Sequence, residues 1–188
     1  MAEQLKVLTI CGSLRKASYN AGLARSLPGL APPDMTFVEA PPFETMPLYN
    51  HDIQEAAGFP PAAETWAEAI RAADGVVICS PEYNWSIPGP LKNALDWVSR
   101  MKENPFKDKP VALQSASSGQ VGGARMQYHM RMVLTSIDAL ILGRPEIFVN
   151  FAAKKFDEKT GELTDPPTKD IVKLQLATFA KFIKRVRD

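Results

Sequence analysis

Short apolar runs rich in β-branched residues alternate along this chain with stretches whose apolar positions recur at helical spacing. Residues 5–10 (LKVLTI), 35–39 (MTFVE), 75–79 (GVVIC), 110–114 (PVALQ) and 145–150 (PEIFVN) read as five strands. The run GVVIC has no polar member, as expected of a strand covered on both faces. Residues 21–27, 64–73, 88–100 and 122–142 read as helices, the third opening on Pro88, where a first-turn proline is tolerated. Residues 170–186 close the chain as an amphipathic helix, with Val172, Leu176, Phe179, Ile183 and Val186 on one face. The proline-rich stretch 40–61 reads as mostly loop, and the polar stretch 151–167, with its Lys-Thr-Gly-Glu turn, suits a small hairpin.

Strands alternating with helices predict an α/β fold around a parallel sheet with right-handed crossovers. For five strands the expected doubly wound order is 2-1-3-4-5, with helices on both faces. Strands 1 and 3 are then neighbours, and a crevice opens outside their carboxyl ends, where a ligand is expected.

Length and composition narrow this picture. The 188 residues suit one domain, 1–188. A net charge of +1 argues against a basic stripe for nucleic acid and against a polybasic membrane anchor. No apolar run approaches the roughly 20 residues that span a bilayer, and no secretory leader pattern is visible. Two cysteines, Cys11 and Cys79, make no disulfide framework, so the cytoplasm is the expected compartment.

Three loops carry candidate chemistry, and they follow strands 1, 3 and 4. The first, Gly12-Ser13-Leu14-Arg15-Lys16-Ala17-Ser18-Tyr19-Asn20, leads into a helix. A helix N-terminus offers unpaired N–H groups and partial positive charge, and Arg15 adds a forked cation. The glycines of G-x-x-x-x-G-K-[ST] and of G-x-G-x-x-G are both missing, so a monophosphate fits better than a pyrophosphate. Glu39 could imitate the ribose-binding acid of a dinucleotide fold, but that glycine pattern does not accompany it. The second loop, Ser80-Pro81-Glu82-Tyr83-Asn84-Trp85-Ser86-Ile87-Pro88-Gly89-Pro90, combines aromatics with restrained backbone and can wall a flat heterocycle. The third, residues 115–123 (SASSGQVGG), allows close backbone approach to a ring. Each alone also reads as an ordinary polar connection; their joint placement on one rim is the stronger signal.

On the motifs GSLRKASYN (12–20), SPEYNWSIPGPLKNALDW (80–97) and SASSGQVGGARMQYHMR (115–131), the chain resembles the NADPH-dependent FMN reductases, in particular their bacterial quinone and chromate reductase branch. The resemblance implies a flavodoxin-like fold that holds FMN. It also implies hydride transfer from NADPH or NADH to a small acceptor: a quinone, chromate, an azo compound or free flavin. By that likeness Ser13, Leu14, Arg15, Ser18, Tyr19 and Asn20 hold the FMN phosphate. Pro81, Glu82, Tyr83, Asn84 and Trp85 line the ring and ribityl chain, and Ser117 and Gly119 sit near the ring. Trp85 departs from the family's frequent tyrosine, and Pro90 from a familiar glycine. No catalytic side chain and no metal site are expected. Two alternatives are a flavodoxin-type electron carrier and a flavin-free binder of nucleotides or phosphosugars.

Extra apolar positions on two helices suggest a homodimer, or a tetramer of two dimers, with Trp97, Met101, Arg125, Tyr128, Met132 and Glu146 as candidate interface residues. His51 and His129 lack partners at metal spacing. Cys11 and Cys79 read as small buried hydrophobes rather than a redox pair.

Overall fold

The computed structural model describes residues 4–187. Its strands are β1 (Leu5–Cys11), β2 (Met35–Glu39), β3 (Gly75–Cys79), β4 (Pro110–Ala116), β5 (Leu140–Ile141) and β6 (Ile147–Val149). Its helices are α1 (Tyr19–Leu30), α2 (His51–Ala57), α3 (Pro61–Arg71), α4 (Gly89–Val98), α5 (Ala124–Ser136) and α6 (Pro166–Arg187), with one 3-10 turn at Ala152–Lys154. All strand pairs are parallel, in the order β2-β1-β3-β4-β5, and β6 also pairs with β4. This is the flavodoxin-like 2-1-3-4-5 order expected from the strand–helix alternation.

The register levels the ligand rim. Cys11 lies opposite Cys79, and Cys79 opposite Gln114, so the loops after β1, β3 and β4 leave from one edge. Side chains alternate across the sheet into two cores. Leu8, Ile10, Val76, Ile78, Val111 and Leu113 pack towards α3, α4 and α5. Leu5, Val7, Val77 and Ala112 pack towards α1 and α6. Both sides of β3 are covered, which explains its unbroken apolar run. The edge strand β2 is flanked by Pro32-Pro33 and Pro41-Pro42. Lys184 near the end of α6 bonds Asp34 just before β2 and holds that carboxyl below its ordinary range.

Several expectations change. The helix expected over 122–142 is shorter at both ends. Gly122 and Gly123 have φ of +64° and +88°, which no right-handed helix accepts, so α5 starts at Ala124. At its other end Asp138 is left-handed (φ +60°), with Asp138 N–H on Thr135 O and Ala139 N–H on Leu134 O. That is a Schellman-type stop. The chain then forms β5, a strand that was not expected, and the strand expected over 145–150 is the shorter β6; both lie along β4.

Trp97 is fully buried, its Nε1 donating to Pro47 O at 2.8 Å, so it serves the fold and cannot be an interface residue. Met101 is half-buried against the same core. Within the expected loop 40–61, α2 forms on an Asn50 cap but buries no residue. The expected hairpin in 151–167 is a single antiparallel bridge, Phe156 to Leu163.

Candidate functional site

The loop after β1 is shaped by close approach. Gly12 N–H donates to Cys79 O at 2.9 Å, and a Cβ at Gly12 would lie 2.4 Å from Ser80 Oγ. Ser18 caps α1 from an extended conformation (φ −84°, ψ 132°), its Oγ accepting from Asn20 and Ala21 N–H at 3.2 and 3.5 Å. Ser13 Oγ accepts from Arg15 N–H at 3.3 Å. Among the described residues, the N–H groups of Ser13, Leu14, Lys16, Ala17, Ser18 and Tyr19 reach no acceptor. No acid sits in the first turn of α1. Among the described residues Arg15 and Lys16 join no ion pair; Arg15 lies 5.7 Å from the centre of the Tyr19 ring.

Asn20, expected among the phosphate donors, has its side-chain amide engaged elsewhere in the structure. Its side chain is buried and grips the end of β4: Nδ2 donates to Ala116 O at 2.9 Å, and Oδ1 accepts Ala116 N–H at 2.8 Å. It fastens α1 to the rim instead of facing the loop.

The loop after β3 carries a tight reversal. Tyr83 and Ser86 exchange N–H···O bonds of 3.0 and 2.9 Å, and the two residues between them, Asn84 and Trp85, have φ of +49° and +67°. Two left-handed central residues make a type I′ turn, usually occupied by glycine or asparagine. Holding Trp85 there costs about 1–2 kcal/mol. Tyr83 and Trp85 are thrust outward, 49% and 67% exposed, while Pro81 stays buried.

What holds the turn is α5. Glu82 accepts N–H bonds from Arg125 (3.0 Å) and Met126 (3.3 Å) and a side-chain bond from Arg125 Nη1 (3.0 Å). The Arg125 guanidinium lies 4.7 Å from the Trp85 ring centre, a cation–π distance. Ser86 Oγ and His129 Nδ1 are 3.1 Å apart. Glu82, expected to line a ring, therefore caps a helix. Of the interface charges expected, Arg125 belongs to this clamp and Glu146 pairs with Arg131 at 3.6 Å.

The loop after β4 is fixed from below. Ser117 N–H donates to Val149 O at 2.9 Å, and Ser117 Oγ accepts Gly119 N–H at 3.1 Å. A Cβ at Gly123 would sit 2.7 Å from Ser115 Cβ. Buried Gln127 donates to Ser115 Oγ and Ile147 O, both at 2.8 Å. Gly123, Arg125, Ser115 and Gln127 were not singled out as site supports in the sequence, where only the glycine pair marks the spot.

Burial pushes the Cys11 thiol up and the Cys79 thiol well up. Cys11 Sγ donates to Ser13 O and Cys79 Sγ to Gln114 Oε1. Neither is an activated nucleophile.

Residues 5–154 match the profile of the family described as NADPH-dependent FMN reductase. The chain is 48% identical over 187 residues to the quinone reductase of Escherichia coli K12, with both chains covered in full. It is 43% identical over 187 residues to an NAD(P)H-dependent FMN reductase of Pseudomonas aeruginosa, again with full coverage of both. Among solved structures, the flavoenzyme NAD(P)H:(acceptor) oxidoreductase of Paracoccus denitrificans superposes with a TM-score of 0.85 at 30% identity, covering 96% of this chain and 98% of that one. The chain belongs to the NADPH-dependent FMN reductase family.

Proposed function

We propose that this protein is an FMN-dependent NAD(P)H oxidoreductase whose acceptors are quinones and similar small molecules. The observation that carries this reading is the row of unaccepted N–H groups between Ser13 and Tyr19, beside Arg15 and Lys16. Such a row is the complement of a phosphate dianion. The loop therefore fits the phosphate end of FMN, and the level rim of β1, β3 and β4 brings the aromatic turn and the small residues of the third loop beside it.

FMN, when bound, supplies two-electron hydride chemistry at its N5 atom. The chain's own residues do the rest. Backbone N–H groups of Ser13, Leu14, Ser18 and Tyr19, with the Arg15 guanidinium, would hold the phosphate. Pro81, Tyr83, Asn84 and Trp85, with Ser117 and Gly119, would line the ring. Asn20 and Glu82 act at one remove, by fixing α1 and the turn. No side chain is assigned an acid–base role. Donor and acceptor would approach in turn on the side of the exposed Tyr83 and Trp85, the ping-pong order. The full-length similarity to the E. coli quinone reductase supports the acceptor class.

The test is anaerobic. NADPH or NADH should bleach the FMN-loaded protein, and a quinone should restore its colour. Absence of bleaching by either nucleotide overturns the reductase in favour of an electron carrier. A protein that stays colourless after FMN is supplied overturns the phosphate loop itself.

Exposed Tyr128 and Met132 on α5, with Phe148 6.2 Å from the Tyr128 ring, support a homodimer built on that face. No helix among the described residues is long and apolar enough to cross a membrane. The cytoplasm is the compartment we assign, as one folded unit.

A further inference from the structure

The loop that opens α1 has a cleft on each flank, and the two differ in sign. One, of about 660 Å³, lies towards β2 and is lined by Ser13, Leu14, Glu39 and Glu44, with no basic residue. The other, of about 470 Å³, lies between Arg15–Tyr19 and the turn at 157–161. Four cationic side chains line this second cleft: Arg15, Lys16, Arg25 and Lys159. None of them joins an ion pair among the described residues.

Two acids share that wall, but one is engaged. Asp157 accepts N–H bonds from Lys159 and Thr160 at 2.9 and 2.7 Å, which hold its carboxyl below the ordinary range. Glu158 is exposed. Arg25 reaches Gly161 O at 3.5 Å, and the Tyr19 and Phe156 rings, 5.4 Å apart, pack where the turn meets α1. The walls thus come from two elements far apart in sequence. Cations gathered without ion-pair partners among the described residues raise the local potential and favour an anion there. A polyanion leaving the phosphate loop has one favourable exit, this one, and is repelled on the Glu39–Glu44 side.

Resting on the reductase reading above, we propose that this cleft takes the 2′-phosphate-bearing adenosine end of NADPH and so selects NADPH over NADH. The assignment requires a dinucleotide whose nicotinamide lies near the turn 83–86 and whose adenosine end reaches this cleft beside the phosphate loop. The cleft sits towards the low end of the roughly 300–1,000 Å³ typical of ligand pockets, which suits half a dinucleotide. Lys16 and Lys159 read the 2′-phosphate; Arg15 is shared with FMN.

The test uses the FMN-loaded protein, adenosine 2′,5′-bisphosphate and AMP in calorimetry, and both nicotinamides in turnover. The native chain should bind the bisphosphate about tenfold or more tighter than AMP, and show a similar margin in kcat/KM for NADPH over NADH. Lys159→Glu should erase both margins while NADH turnover stays within about twofold, as for a surface change outside the phosphate loop. Lys159→Arg should keep them. Equal binding of the two adenosines by the native chain, or a margin that survives Lys159→Glu, overturns the assignment. Selective bisphosphate binding by a protein that neither nicotinamide bleaches would overturn the reductase reading and leave the anion cleft in place.

Discussion

At the scale of single residues, the site separates side chains that face a ligand from those that hold the facing ones. Arg15 is exposed, joins no ion pair among the described residues and lies in the loop of free N–H groups. Arg15→Ala should weaken FMN affinity by about tenfold or more, the worth of one charge-assisted hydrogen bond, with thermal stability unchanged. Flavin titration followed by fluorescence measures it; unaltered affinity would remove Arg15 from the phosphate site. Polar residue types on the rim were legible in the sequence, but their directions were not. Asn20 sits in a loop-to-helix motif that suits a phosphate, yet its amide turns inward to Ala116, 96 positions along the chain. Only the register that sets β4 beside β3 and β1 brings that partner within reach. Trp85 in a left-handed conformation was equally hidden, since local preference assigns such places to glycine or asparagine.

At the scale of elements, α5 begins without help from its own N-cap, because Gly123 has no side chain to offer. Glu82 supplies the missing acceptor from 43 positions away and ties the aromatic turn to the helix in the same act. Glu82→Ala should therefore destabilise the fold by about 1–2 kcal/mol, as loss of a cap does. It should also change the emission of Trp85, whose ring loses its fixed guanidinium neighbour. Denaturant melts and tryptophan fluorescence check the two effects, and a change in stability without one in emission would disconnect the clamp from the turn. Long strands and helices with clear periodicity were readable, and GVVIC became a strand buried on both faces. The end of α5 was not, because its stop places Asp138 where glycine is the usual marker. Without that signal the apolar positions 137 and 140 continued the helical pattern, whereas Leu140 pairs with Pro110 in the sheet.

At the scale of the molecule, the strand order was legible because alternation and crossover handedness leave few solutions for a short doubly wound sheet. Assembly was less so. Trp97, expected at an interface, is fully buried, its indole N–H donating to Pro47 O. The remaining face, Tyr128 and Met132, is 51% and 64% exposed. Light scattering should give a dimer mass or larger for the native chain. Tyr128→Glu combined with Met132→Glu should give the mass of one chain with flavin still bound, and a native protein already of single-chain mass at micromolar concentration excludes the interface.

The proline pairs on either side of β2 have a consequence for how copies of this chain can meet. A bare sheet margin is a template for amyloid growth, since its free amides recruit another backbone. Here the margin is five residues long, and proline, which has no amide hydrogen, stands just beyond both ends. An incoming chain finds little to zip onto and nowhere to continue, so orderly association is left to side chains and runaway fibril formation is checked at its starting point.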